Sequence, residues 1–263
     1  MFSATYFTYD GVFSGLYGLM IADFDDSSVI ETNAFSPSLN TVKPPALNRF
    51  FHNGITYDEA PQHPFSIISE HPIQPSIRRK IISWLFGKDT YRVLKIYQPD
   101  LEGVFYKCVF TSIDIIYING NCHGFRVTAN FDSFYQYEFK EPILITGNGT
   151  EIVQEINNQS DINDNYIYPT VTFCTTAPVG DYDISIINKS DNPSRAFRFQ
   201  GLLANETITV DNELKHISSS IGGERLSNFN KNWLRLRPGV NELSIVLNGT
   251  ASIAYTSYAL LGF

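Results

Sequence analysis

Charge is scarce in this chain. Nineteen basic and 27 acidic residues make up 17% of 263 positions, against roughly 25% in an average soluble domain. Cations are the scarcer kind, and their one run is Arg78-Arg79-Lys80. That is too little for a protein whose main task is to grip a phosphate backbone, so sequence-specific nucleic-acid binding is excluded as its function. Long hydrophobic runs are missing as well. Stretches such as Ile143-Leu144-Ile145 fall far short of the roughly 18 apolar residues of a membrane helix, and no membrane insertion is expected. The opening MFSATYFTYDG has no basic stretch followed by an apolar one, so no signal peptide is expected.

Cysteine is rare too. Cys108, Cys122 and Cys174 make no C-x-x-C pair, and an odd count in a chain without export signals reads as free, buried thiols. The five histidines, His52, His63, His71, His123 and His216, form no H-E-x-x-H or His-x-His arrangement, and His71 sits before Pro72. Neither a metal nor a cofactor is expected from them. What is abundant is Phe and Tyr, 20 and 15 of them, which bring aromatics to 14%. Such a chain builds a full core and is not disordered. Its length suits two modest domains or one large all-β domain.

Most segments alternate with period two and break at Gly, Pro, Asn or Asp, the pattern of strands with tight connections. One stretch departs. Over 76–86, Ile77, Ile81 and Leu85 recur at helical spacing with Ile82 and Trp84 beside them. Arg78, Arg79 and Ser83 fall opposite, and Gly87 stands where helices commonly stop. One helix of about three turns, with its apolar face on a sheet, is predicted.

The next hairpin is legible to its register. Pairing residues whose numbers sum to 240 sets Phe125 opposite Ile115, Val127 opposite Ile113, Phe131 opposite Val109 and Arg126 opposite Asp114, around a three-residue connection 119–121. Cys122 then faces Ile118, ten residues along the strand from Cys108. That is about 33 Å, well beyond disulfide reach. Pro142 marks a junction between residues 1–140 and 141–263. The second half shows no helical stripe, and its short strands and turn signals suggest an antiparallel sandwich.

Candidate chemistry is sparse. Asp161, Asn163 and Asn165 stand at positions 1, 3 and 5 of a calcium loop, but Tyr166 replaces the turn glycine and Thr172 the bidentate Glu. Asp23, Asp25 and Asp26 read as a solvated turn, since nothing sets an acid opposite a base. GVFSGLYG matches neither a dinucleotide fingerprint nor a P-loop, and there is no G-x-S-x-G elbow. Five Asn-x-Ser/Thr triplets begin at Asn148, Asn158, Asn188, Asn205 and Asn248; chance explains them in so Asn-rich a chain. Trp84 belongs to the helix core and Trp233 begins a strand, which leaves tyrosines as the platforms for stacking on sugars. A non-enzymatic protein is expected.

Several of these segments resemble the distal tail protein, or Dit, of long-tailed, non-contractile siphovirus phages. The opening Phe7-Thr-Tyr9-Asp10-Gly11 and the later Tyr17-Gly18-Leu19 are similar to that family's first strand and turn. Arg78 through Trp84-Leu85-Phe86-Gly87 resembles its helix, and Gly124-Phe125 the end of its N-terminal domain, although the family usually has Pro where Phe134 stands. Phe199-Gln-Gly201, then Trp233, then Pro238-Gly239-Val-Asn241 resemble its C-terminal sandwich.

The resemblance implies a mainly β chain. Its N-terminal part would be a β-sandwich or split-barrel-like domain with one α-helix, and its C-terminal part a galectin-like antiparallel β-sandwich. It further implies a hexameric hub ring, assembled in the host cytoplasm and placed at the virion tail tip. Its partners would be the tail tube protein, the tape-measure protein, and a tail-tip or tail-associated lysin or receptor-binding protein. A second half of this length leaves no room for an inserted carbohydrate-binding module, so a short-form hub rather than a glycan reader is expected. The competing readings are a glycan-binding adsorption module and a virion hydrolase.

Overall fold

The computed structural model describes residues 5–22, 38–45, 47–56, 60–161 and 165–260. Asp23, Asp25, Asp26 and, from the calcium-loop-like segment, Asn163 lie outside them. The described chain forms two compact units, one comprising the residues up to Gln136 with Leu260, the other Tyr137–Ala259.

In the first unit β1 (Phe7–Tyr9), β2 (Val12–Phe13) and β3 (Leu19–Ile21) are followed by β4 (Ser38–Val42), β5 (Phe51–Thr56) and β6 (Gln62–Ser69). Helix α1 (Pro75–Phe86) then precedes β7 (Arg92–Ile96), β8 (Val104–Ile118) and β9 (Asn121–Phe131). The main sheet runs β2-β1-β7-β8-β9-β6-β3, all antiparallel. The β3 end returns beside β1: Thr5, just before β1, exchanges both backbone hydrogen bonds with Ile21 of β3 at 3.0 and 2.8 Å. That single bridge rolls the sheet toward a barrel and removes most of an open edge.

The predicted helix is present, one residue longer, with Pro75 in its first turn where a missing N–H costs nothing. Ile81, Trp84 and Leu85 are buried, and Ile77, Ile82 and Phe86 pack against the same core. Trp84 stacks on Phe7 at 5.8 Å and donates its indole N–H to the Tyr9 carbonyl at 2.9 Å. Gly87 ends the helix for a reason other than a left-handed turn. Its φ is −82°, and a Cβ there would lie 2.8 Å from the Ser83 carbonyl oxygen.

The hairpin register holds over Ser112–Thr128 to Ile116–Gly124, including Phe125 opposite Ile115 and Arg126 opposite Asp114. It slips by one residue at each end. Phe131 lies opposite Cys108 rather than Val109, and Cys122 opposite Tyr117 rather than Ile118, because bulges interrupt the ladder. The connection is also tighter than expected. Asn119 and Gly120, both at positive φ, close a two-residue turn, the Asn-Gly geometry that matches strand twist. All three cysteines are free, and Cys108 and Cys122 are buried.

Strand β10 (Tyr135–Phe139) leads into the second unit, which continues with β11 (Ile143–Asn158), β12 (Thr170–Thr175), β13 (Ile184–Asn188) and β14 (Ala196–Phe199). Then come β15 (Thr207–Asp211), β16 (His216–Ser219), β17 (Gly239–Ala254) and β18 (Thr256–Leu260), the last pairing with β10. Strand β17 organises the unit. One edge pairs with β11 along its whole length, while the other is shared by β13, opposite Leu243–Leu247, and β12, opposite Gly249–Ala254.

The division falls at a corner. Gly147 faces Gly249, Asn148 faces Asn248, and β11 takes an extra residue before Glu151. A Cβ on Gly249 would sit 2.1 Å from the Cys174 carbonyl oxygen, and one on Gly147 2.4 Å from that of Leu247. Two of the five Asn-x-Ser/Thr triplets thus mark a bend in the long strands. Phe173, Phe197, Phe199 and Phe229 interlock beneath it.

Candidate functional site

The family-like positions are structural. Gly11, with Asp10, makes the left-handed β1–β2 turn, and Gly18 the left-handed end of the 3-10 turn before β3. Tyr17 packs on Trp84 at 5.4 Å, while Leu85 and Phe125 are fully buried. Arg78 donates to the Tyr117 hydroxyl at 3.2 Å. Gly124 lets β6 approach: a Cβ there would be 2.3 Å from the Ile67 carbonyl oxygen.

In the second unit Gly201 adopts φ +70° beside Asn228. Trp233 lies outside any regular strand, contrary to expectation, and meets Phe229 edge-on at 4.8 Å. Asn241 is fully buried and holds the Pro238-Gly239 turn. It donates to the carbonyls of Arg237 and Gly239 at 2.8 and 2.9 Å, and its Oδ1 accepts from the Arg237 N–H and from Asn188. These residues divide between two cores and do not converge on one site.

Chemistry is correspondingly quiet. Among the described residues no three His, Cys, Asp or Glu side chains gather as metal ligands. Burial pushes the Cys108 thiol far above its ordinary range, with the Asp132 carboxylate adding to the effect, so it is not a nucleophile. Tyr9 is raised in the same way, by burial first. The carboxyls that are depressed serve ion pairs. Glu206 loses water by burial, yet Arg225, the Ser219 hydroxyl and the Leu203 N–H together hold it below the usual range. Asp191 behaves alike beneath Arg235 and Tyr166.

What the first unit offers instead is uncovered surface. On the outward face of β1, β2 and β7, Tyr6, Phe13 and Tyr97 form one aromatic cluster, with centroids 5.3 and 5.9 Å apart. Phe13 and Tyr97 remain 42% and 56% exposed, and the neighbouring Leu16 76%. The cluster is seated, not loose: the Phe13 ring lies over Gly15, where a Cβ would meet it at 2.3 Å, and Thr8 and Tyr97 share a hydroxyl hydrogen bond of 2.8 Å. Sequence reasoning named GVFSGLYG for its glycines and passed over these side chains. The alternation of Tyr6, Thr8 and Asp10 against buried Phe7 and Tyr9 was the signal available.

Two further surfaces carry cations. Strands β4 and β5 pair only with each other among the described residues, and a two-stranded ribbon is marginal in water by itself. Phe50 and Phe51 stay exposed on it beneath Lys43 and Arg49, at 5.7 and 4.9 Å. Residues 38–56 contain no acid in a chain of net charge −8. On α1, Arg79, Lys80 and Lys88 line a wide, shallow depression with Ser76 and Ser83. Lys88 is paired with Asp10, whereas Arg79 and Lys80 are cations on the solvent side of the helix.

Residues 2–133 match the family described as phage tail protein N-terminal domain, and residues 135–255 the phage tail C-terminal domain. No curated protein sequence matches the chain. Among solved structures it is similar to the Dit protein of phage SPP1, described as a paradigm of hub adsorption apparatus in Gram-positive infecting phages. The TM-score is 0.67 at 12% identity, over 97% of this chain and 99% of that one. A chain of the phage p2 baseplate in its activated conformation is similar with TM-scores of 0.58 with calcium and 0.60 with strontium. Identity is 8% in both, and 97% of this chain and 98% of that one are covered. Matched through both its halves, the chain belongs to the phage tail proteins and has the Dit-like β-sandwich fold.

Proposed function

We propose that this phage tail protein is a distal tail hub: a non-enzymatic subunit of a six-membered ring that joins the tail tube to the tail tip. The observation that carries the reading is the correspondence with the SPP1 hub chain over 97% of this chain and 99% of that one. The aromatic cluster, the basic ribbon and the cationic helix face support it. A ring of identical subunits needs two different surfaces on each copy, and uncovered apolar patches rimmed by polar residues mark such surfaces. Tail tube, tape-measure and tip proteins are the partners this reading assigns, and host cytoplasm the place of assembly.

Native mass spectrometry of the protein, alone and with its neighbouring tail proteins, tests it together with proteomics of purified virions. A six-copy species present in virions is the expected result. A chain that stays monomeric with every neighbour and is absent from virions overturns the reading.

A further inference from the structure

We propose that the second unit carries a saccharide-binding cavity, which takes a pyranose unit bearing no negative charge. This goes beyond the hub reading and does not depend on it, and it departs from the expectation that a chain without an inserted module reads no glycan. The cavity, of about 360 Å³, opens among Lys140, Tyr168, Asp211, Glu213, Tyr255 and Tyr258, within the range of small-molecule sites. Tyr168 is 38% exposed there, and Tyr255 is half-buried. A phenol ring in such a lining offers apolar surface to the C–H face of a sugar ring while leaving its hydroxyls to polar neighbours.

Those neighbours are present and partly unspent. Asp211 accepts the N–H groups of Glu213 and Leu214 through Oδ1, at 3.0 and 2.9 Å; its other oxygen has no partner among the described residues. Glu141 and Glu213 add exposed carboxylates to the lining, and the one cation, Lys140, is engaged by Glu138 at 2.7 Å. Three carboxylates against one paired ammonium accept hydroxyl or amino protons and repel phosphate or uronate.

The surface leading to the cavity has the same character. Thr170 lies between Asp211 and Ala254 in register, and the next rows outward are Ser218, Thr209, Thr172 and Ser252, then Thr207, Cys174 and Thr250. Apart from Asp211 and His216, the outward face of β16, β15, β12 and β17 in these rows carries neither Lys, Arg, Asp nor Glu. An exposed sheet face without charge presents hydroxyls and little else, which suits a chain of sugars continuing from the cavity.

Saturation-transfer difference NMR on the full chain, with methyl glucoside, N-acetylglucosamine, glucosamine and glucuronic acid as probes, tests the proposal. Transfer to at least one of the first three, and none to glucuronic acid, is expected. Tyr168→Ala should weaken the bound sugar about tenfold, Tyr168→Phe should retain it, and Asp211→Asn, which keeps the Oδ1 acceptor, should weaken it without unfolding the turn. Tyr97→Ala, on the other unit, should change nothing. Absence of transfer to every probe, a preference for glucuronic acid, or binding indifferent to Tyr168→Ala and Asp211→Asn overturns the proposal. Ring assembly measured on the same variants reports on the hub reading separately.

Discussion

The two units solve the same problem, enclosing a β core, by different means. Among the described residues the first unit buries only two polar side chains, Thr5 and Ser14, whereas the second buries eleven, among them Asp183, Asn188, Glu206, Asn212 and Asn241. The reason lies in the connections. In the first unit hairpins close with two-residue turns, Asp10-Gly11 and Asn119-Gly120, so backbone groups find partners in the ladder. In the second, loops such as 176–183, 200–206 and 220–238 run between strands, and their N–H and C=O groups need partners from elsewhere. Asn212 serves the Leu234 N–H and the Pro169 carbonyl, Asn230 the Ala196 carbonyl, and Asp183 the Leu202 N–H. Both units pack an apolar core, and the second adds buried amides and carboxylates that pin its loops.

The largest expected effect tests the packing side. Trp84→Ala removes a ring that touches Phe7, Tyr9 and Tyr17 and leaves a cavity under α1. The cost should be about 3–5 kcal/mol. Hydrogen exchange should rise in peptides from β8 and β9 and stay unchanged in β17. Equal loss in β17 would show that the two cores are not energetically separate.

Next is the pinning side. Asn241→Ala strands the carbonyls of Arg237 and Gly239 and the Arg237 N–H, and leaves the Asn188 amide with the Arg235 carbonyl alone. A loss of about 3 kcal/mol, read from denaturant melts, with exchange rising first at 188–192 and 237–243, is expected. A protein as stable as the wild type would mean that water replaces these bonds at no cost.

Acid should separate the units with a smaller effect. The depressed carboxyls of Glu206 and Asp191 contribute stability that is complete above the ordinary carboxylate range, near pH 4 and higher. It is lost as pH falls through their lower folded values. In the first unit Asp10, depressed by its hydrogen bond to Lys88, is a third exposed and screened by solvent. Below about pH 4, exchange should therefore quicken in the second unit first. Glu206→Gln should cost about 2 kcal/mol at neutral pH and flatten that acid dependence. Parallel acid profiles for both units would break the comparison.

How much of this could be read from sequence follows the same division. Period-two and helical patterns gave α1, the hairpin 104–131 and its central register, because a one-residue slip would have moved Phe125 and Val127 off the core. They did not give the bulges that shift Phe131 and Cys122, since a bulge leaves the alternation on either side intact. The loop-pinning amides were invisible for a related reason. Asn188, Asn212 and Asn241 differ from solvent-facing asparagines only in what they meet across the chain. Motif search likewise found the glycines of GVFSGLYG but not the Phe13–Tyr97 cluster, whose meaning lies in exposure rather than in spacing.

The smallest effect on stability carries the most information about function. Leu16 in the first unit and Leu214 in the second are each 76% exposed, so Leu16→Ser and Leu214→Ser should both leave the melting midpoint within about 0.5 kcal/mol of wild type. Their surroundings differ. Leu16 follows Gly15, over which the Phe13 ring of the aromatic cluster lies, whereas Leu214 stands on the β15–β16 turn capped by Asp211. If the first unit keeps its apolar surface for neighbouring subunits, Leu16→Ser, alone or with Phe13→Ser, should abolish the multi-copy species in native mass spectrometry and its incorporation into particles, while Leu214→Ser assembles normally. The reverse outcome would move the assembly surface to the second unit. Equal assembly of both variants would show that the exposed aromatics of the first unit are ordinary surface, and that the ring closes through the ribbon or the cationic helix face instead.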